Sequence, residues 1–389
     1  MFNRRKRILE EKTNTNLKPD CFSQLPDHFL RFYLFSFVGS AAKSQLAKTN
    51  HRFADFPECH NASQKLRKLL WFVLRGEKHR AEELILQDTD LLLGEDQMLD
   101  NSARQPYGTA LGMALGAGDF TLYNYNGNKN LGEGMVEMLI RHLIKWPDGK
   151  IEIAKQILKQ FPEGWEKQEK KIQEEDFQAL NKVWKAISAS RHPDTCEASV
   201  LEFQDHLKPK GVITTGKHWN LKLLYEAINM GYNKPFHDKI KNDLFYNRVI
   251  GFIQTLAPTR DAMILRQGLR LLYANQKFQR DLTYNDSRLG NYFQPALGRL
   301  GIQSWVDYYD GEPRQGEPRQ GEYARGGQSL LHFYLRKNAR LKQYCAAAKQ
   351  VIKNAARTSQ RGFFSKLTAF IGCSQAAENK LNTSSLKYR

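Results

Sequence analysis

The stretch LPDHFLRFYLFSFVGSAAKSQLAKTNHRF, residues 25–53, decides how the rest of the chain is read. It opens on Leu25-Pro26, and eight of the ten residues from Phe29 to Val38 are apolar or aromatic. Proline suits a first helical turn, where its missing N–H is not needed. A surface helix of a globular protein needs only one apolar stripe, whereas this segment is apolar nearly all round. A unit of about 40 residues is too small to cover such a helix by itself. The cover has to come from the rest of the chain or from another protein.

Composition sets the outer limits. With 389 residues there is room for two or three domains and a substantial core. Hydrophobic residues at 41% and charged residues at 26% match a soluble globular protein. No apolar run reaches the ~18 residues a membrane helix needs. The opening MFNRRKRILEEK lacks the apolar stretch of a secretory signal peptide. Cysteines 21, 59, 196, 345 and 373 lie far apart without a CxxC pair, so neither zinc nor a disulfide framework is expected, in keeping with a reducing cytosol. The net charge of +18 favours acidic partners. Its basic residues are interleaved with acidic ones and no nucleic-acid signature is present, so nucleic acid is not the expected partner. Arg4-Arg5-Lys6-Arg7 reads as a solvated tail.

The fold class expected is all-α, because strand alternation is scarce. Thr109-Ala110-Leu111-Gly112-Met113-Ala114 opens a helix ending near Gly118, and Met135 to Ile140 reads as its partner helix across an insertion, residues 119–134. Leu69 to Leu74 and Ala81 to Leu86 repeat the theme around Gly76. Both glycines are expected to turn the chain between paired helices, where positive φ is favoured. They stand 42 residues apart. The excess over a repeat of about 33 falls in 87–108, expected as an enlarged hairpin finger. A weaker echo runs from Leu223 to Gly231. Residues 150–190 read as two helices broken at Phe161 to Trp165. The second carries the stripe Ile172, Phe177, Leu180, Val183, Trp184 and Ile187. Further helices are expected over 219–230, 237–256 and 259–278. The tandem GEPRQ copies place a flexible loop over 310–328. Beyond it, Leu341, Cys345, Ala348, Ile352 and Ala355 step as a helix of at least four turns.

Two resemblances follow. The helices around Gly76 and Gly118 look like degenerate ankyrin repeats, over residues 64–148. The opening segment, with Leu25-Pro26, an apolar helix, a polar break at Gly39-Ser40, a short helix and the closing Leu46-Ala47-x-Thr49-x-x-Arg52-Phe53, resembles the F-box. That resemblance implies a three-helix module over 21–58 which docks on the Skp adaptor of a cullin ubiquitin ligase. Leu25 and Pro26 would anchor the interface, and Phe29, Leu30, Tyr33, Leu34, Phe37 and Leu46 would bury against the adaptor. Phe53 takes the place of the closing aromatic and would be a further partner-binding residue. Residues 1–20 would be a flexible basic tail, 149–356 a helical domain, and 357–389 an amphipathic helix with a polar tail. The pairing is similar to F-box effectors that intracellular bacterial pathogens deliver into the host cytosol; otherwise a cytoplasmic location is expected. A host protein target would be met through 87–134 and 310–328.

Such an adaptor needs no catalytic residue, cofactor or metal of its own. The candidate chemistry agrees. His192-Pro193-Asp194 reads as a turn after a helix. Cys59-His60 and His237-Asp238 are sequence neighbours, which do not face each other on a helix. Glu317 and Glu322 have the wrong spacing for a transferase pair. No GxSxG, HExxH or phosphate-loop motif occurs. Two alternatives stay open. One is an effector enzyme whose site assembles from distant helices, which a fixed pocket of clustered His, Asp, Glu or Arg would favour. The other is a basic lipid- or phosphate-binding module using 363–373 on a membrane surface.

Overall fold

The computed structural model describes residues 38–49, 53, 56–100, 102–121, 133–234, 236, 238–267 and 320–357. They are mostly helical, with three short strands among the described residues. The chain divides into two compact units, Met1–Leu66 and Arg67–Arg389.

In the first unit, α1 (Ser40–Thr49) follows the polar break at Gly39, as its small and polar residues dictate. Leu46 and Ala47 on it pack on a buried trio, Phe53, Phe56 and Cys59. The rings of Phe53 and Phe56 sit 6.3 Å apart. The module is expected to end at 58, with Pro57 breaking its pattern. Instead Pro57 starts α2 (Pro57–Leu74), in the first-turn position where proline costs nothing. One helix therefore runs through the gap expected at 58–64, and the unit boundary falls within it.

The second unit begins with paired helices. After α2, Gly76 at φ +69° turns the chain into α3 (Lys78–Gln87). A 3-10 turn (Thr89–Leu93) leads to a hairpin of β1 (Asp96–Gln97) and β2 (Gln105–Gly108), antiparallel. Within the expected 87–108 segment, the hairpin itself covers 96–108. Then come α4 (Ala110–Ala117), Gly118 at φ +68°, α5 (Met135–Leu143) and α6 (Gly149–Gln160). The Thr109 hydroxyl caps α4 by accepting the Gly112 N–H at 3.1 Å and donates to Gln156 Oε1 on α6 at 2.7 Å. Every residue of α4 is buried, and its alanines and glycines let α5 and α6 pack closely on it.

The remaining helices form a second core. They are α7 (Trp165–Ala189), α8 (Glu197–Leu207), α9 (Leu221–Asn233), α10 (Lys239–Leu244), α11 (Gly251–Thr255), α12 (Thr259–Gln267) and α13 (Gln320–Arg357). A π turn over Phe245–Ile250 joins α10 to α11. Leu180, Val183 and Ile187 of the expected α7 stripe are buried there, with Phe177 and Trp184 packed at its edge. Ile172 is instead 39% exposed. Between α8 and α9, β3 (Val212–Ile213) pairs parallel with β2.

Two expectations are corrected. The loop expected over 310–328 is helical from Gln320 onward, since no proline follows Pro318 and Glu322, Ala324 and Arg325 favour helix; residues 310–319 lie outside the described residues. The echo at Leu223 to Gly231 is one unbroken helix. Gly231 serves there as a close-approach point, because a side chain on it would press on the Tyr246 ring. Long α13 lies along α6 and α9. Its Lys337 grips buried Asp261 of α12 at 2.6 and 2.5 Å and reaches the Ala117 carbonyl at 3.3 Å.

Candidate functional site: a cleft in the second unit and the N-terminal segment

The expected docking residues divide sharply. Leu25, Pro26, Phe29, Leu30, Tyr33, Leu34 and Phe37 lie outside the described residues. Leu46 is half-buried on the Phe53 cluster. Phe53 was expected at the partner surface, yet it is only 2% exposed, held in the first unit's own core. A large ring near the centre of so small a cluster has more apolar area to bury inward than a surface contact would offer. Cys59 beside it is also buried, and burial, with Glu58 adding, pushes its thiol up to about 11. Fully buried in that cluster, it serves as a packing residue. Of the expected target-binding regions, 122–132 and 310–319 lie outside the described residues, as does the 363–373 stretch.

A second site was not anticipated from the sequence. A cleft of ≈ 320 Å³ opens between the α7 face and the segment that precedes α9. That segment is strapped down at several points. β3 pairs with β2. The Gly216 N–H donates to the Gln160 carbonyl at 2.7 Å, and Gln160 Nε2 returns a bond to the Gly216 carbonyl, also 2.7 Å. The His218 N–H donates to the Gly116 carbonyl at 2.8 Å. Arg104 completes the clamp from the hairpin tip. Its Nε donates to Asp100 Oδ2 at 3.0 Å, and Nη1 donates to the His218 carbonyl. Asp100 in turn is held by Ser102 and the Arg104 N–H, an Asx turn that fixes the tip. Lys217, His218, Trp219 and Asn220 thus reach the cleft on a rigid base.

The opposite wall comes from α7. Trp165, Glu169, Ile172 and Asp176 step by four, three and four, so they share one face. Lys217 bonds Glu169 and donates to Asn338 Oδ1 at 2.5 Å. Its ammonium also sits 4.7 Å from the Trp165 ring centre. Burial brings Lys217 down to about 8, opposed by the Glu169 charge. Asp176 accepts from His206 Nε2 at 3.1 Å and from Asn220 Nδ2 at 2.7 Å. Burial raises its carboxyl above the usual range even against those two bonds. Asn220 also caps α9 by accepting the Leu223 N–H at 3.1 Å.

Burial also decides the state of His218. Its ring lies against Gly116, and burial, with the Arg104 guanidinium adding and Asp100 opposing, drives it down to about 3. It is a neutral imidazole at any physiological pH. Its Nδ1, Nη2 of Arg104 and Nε1 of Trp219 are buried and have no hydrogen-bond partner. Chemically, the cleft offers two held carboxylates, Glu169 and Asp176, the Lys217 ammonium and apolar walls. No Ser, Thr or Cys lines it among the described residues, so it presents no hydroxyl or thiol nucleophile. Among the described residues, no three His, Cys, Asp or Glu side chains are grouped to hold a metal, and no helix is long and apolar enough to cross a membrane. Set against known proteins, the chain matches no family model, no curated protein and no solved structure.

Proposed function

We propose that the chain is a two-part adaptor: an F-box-like N-terminal module that docks on the Skp adaptor of a cullin ligase, and a helical body that presents a target. The observation that carries this reading is the separate N-terminal unit, in which α1 follows the Gly39 break and the chain closes on Phe53. A segment that forms a compact unit of its own is what a docking element requires. The paired helices turning at Gly76 and Gly118, with a hairpin between them, support the ankyrin-like reading of the body. On this reading Leu25, Pro26, Phe29, Leu30, Tyr33, Leu34 and Phe37 meet the adaptor, Leu46 lies at the edge, and Phe53 holds the module together.

The test is co-purification of the full chain with Skp and cullin from a eukaryotic lysate. Truncating a central interface aromatic typically costs about 2 kcal/mol or more, roughly thirtyfold in affinity. The pair Leu25→Ala and Pro26→Ala, or Phe37→Asp, is expected to abolish capture while the circular dichroism of the body is kept. Capture that survives either variant would count against the adaptor. A second reading, that the body also handles a small molecule, is favoured by the cleft.

A further inference from the structure

Three elements converge on the amine of Lys217. The residue lies on the strapped segment before α9, with Glu169 and Trp165 reaching it from α7 and Asn338 and Tyr334 from α13. Nζ donates to Glu169 and to Asn338 Oδ1, and it sits 4.7 Å from the Trp165 ring centre and 5.6 Å from that of Tyr334. Gln173 Nε2 donates to the Tyr334 hydroxyl at 3.2 Å and so fixes that ring. A lysine side chain is among the costliest to immobilise, and here two rings and two acceptors hold its end. The side chain nevertheless keeps 20% of its surface open and lines the ≈ 320 Å³ cleft. Lys217 is thus both positioned and within reach of a molecule of organic size.

We propose that Lys217 condenses with an aldehyde admitted by the cleft, joining it to the protein as an imine. The neutral amine attacks the carbonyl carbon and gives a carbinolamine. The nitrogen–carbon double bond then forms as the hydroxyl leaves. Both amine hydrogens and the carbonyl oxygen depart as one water, so no oxidant or reductant is consumed. The step needs a base for the ammonium proton and an acid for the departing hydroxyl. Glu169, bonded to Nζ, serves as both in turn. Ile172, Leu207, Ile213 and Leu223 on the walls suit an aldehyde with an apolar body, and the volume falls within the range of small-molecule sites. Burial agrees with this geometry: it lowers Lys217 from 10.5 to about 8, the Glu169 charge opposing. At pH 7.5 about a quarter of such an amine is neutral, against about one in a thousand for an ordinary lysine. The inference rests on the cleft and takes nothing from the adaptor reading, since every lining residue lies in the second unit.

The experiment exposes the full chain briefly to benzaldehyde and sodium cyanoborohydride at pH 7.5. The hydride reduces each imine to a stable benzylamine, and peptide mass spectrometry reads its occupancy at every lysine. Lys171 and Lys185, both exposed, are the internal references. A less basic amine is a weaker nucleophile, which takes back part of the advantage in neutral fraction. Expected is labelling of Lys217 faster than either reference by at least about tenfold. The preference is expected to vanish in denaturing urea, where cleft and partners are gone. A lysine that merely bolts the strap to α7 and α13 gives the opposite order, because its amine is tied up while the references stand in solvent. Labelling of Lys217 no faster than Lys171 and Lys185 therefore overturns the proposal. A preference that survives urea overturns it equally, since it would come from neighbouring sequence and not from the cleft. The readout needs no variant, so misfolding cannot obscure it, and the Skp pull-down has no bearing on either outcome.

Discussion

His218 stays neutral because it is sealed over Gly116 beside a guanidinium, and that ties part of the protein's acid stability to this ring. The unfolded chain protonates this imidazole near its ordinary 6.5, whereas the folded one resists protonation down to about 3. The folded value is depressed, so the stability it contributes is full above pH 6.5 and is lost progressively as pH falls toward 3. Within that window the loss is about 1.4 kcal/mol per pH unit from this group. His218→Phe removes the titration. The stability difference between parent and variant, from urea unfolding, is expected to move by about 2 kcal/mol in the variant's favour between pH 7 and pH 5. An unchanged difference would mean that the ring is open to solvent. Asp176 opposes this trend, since its raised carboxyl loses favour as pH rises, but it does so in parent and variant alike.

At the scale of elements, the turns were legible and the cleft was not. Gly76 and Gly118 could be read because a left-handed turn after a helix is a local requirement that glycine meets at least cost. The break at Phe161 to Trp165 and the helices on either side were equally local. The cleft draws on the hairpin tip, α7, the end of α8 and the segment before α9, which nothing local brings together. The available signal was the face Trp165, Glu169 and Asp176 on α7, with Ile172 assigned to the core stripe instead. The α13 start was misplaced for a related reason: the GEPRQ repeat was read as one loop, although helix-favouring residues follow its last proline. Thr109 joins local and distant information, capping α4 while bonding Gln156 across to α6. Thr109→Ala loses the cap and orphans Gln156 Oε1, an expected cost of about 2 kcal/mol. Thr109→Ser keeps both bonds and is expected to lose under about 1 kcal/mol, so denaturant unfolding of the two variants separates hydroxyl from methyl.

For the whole molecule, the division at Leu66 separates the residues of the proposed docking module from those that line the cleft. The first unit has a core of few side chains, Phe53, Phe56 and Cys59 with Leu46 and Ala47 against them. The second has a cluster several times larger, running from Leu180 to Tyr334. A small core has little surplus over the entropy it must offset, so a single large truncation there removes most of its stability. Phe53→Ala should cost about 3 kcal/mol or more. The expected outcome is loss of amide protection over residues 40–49 and 57–66 in hydrogen exchange, with protection over 221–233 and 239–265 unchanged. On the proposed adaptor reading the same variant also loses Skp capture, although Phe53 itself is buried, because the cluster around it would no longer hold its shape. If Phe53→Ala instead exposes both regions to exchange together, the chain unfolds as one body, and a docking module that acts independently of the cleft is no longer tenable.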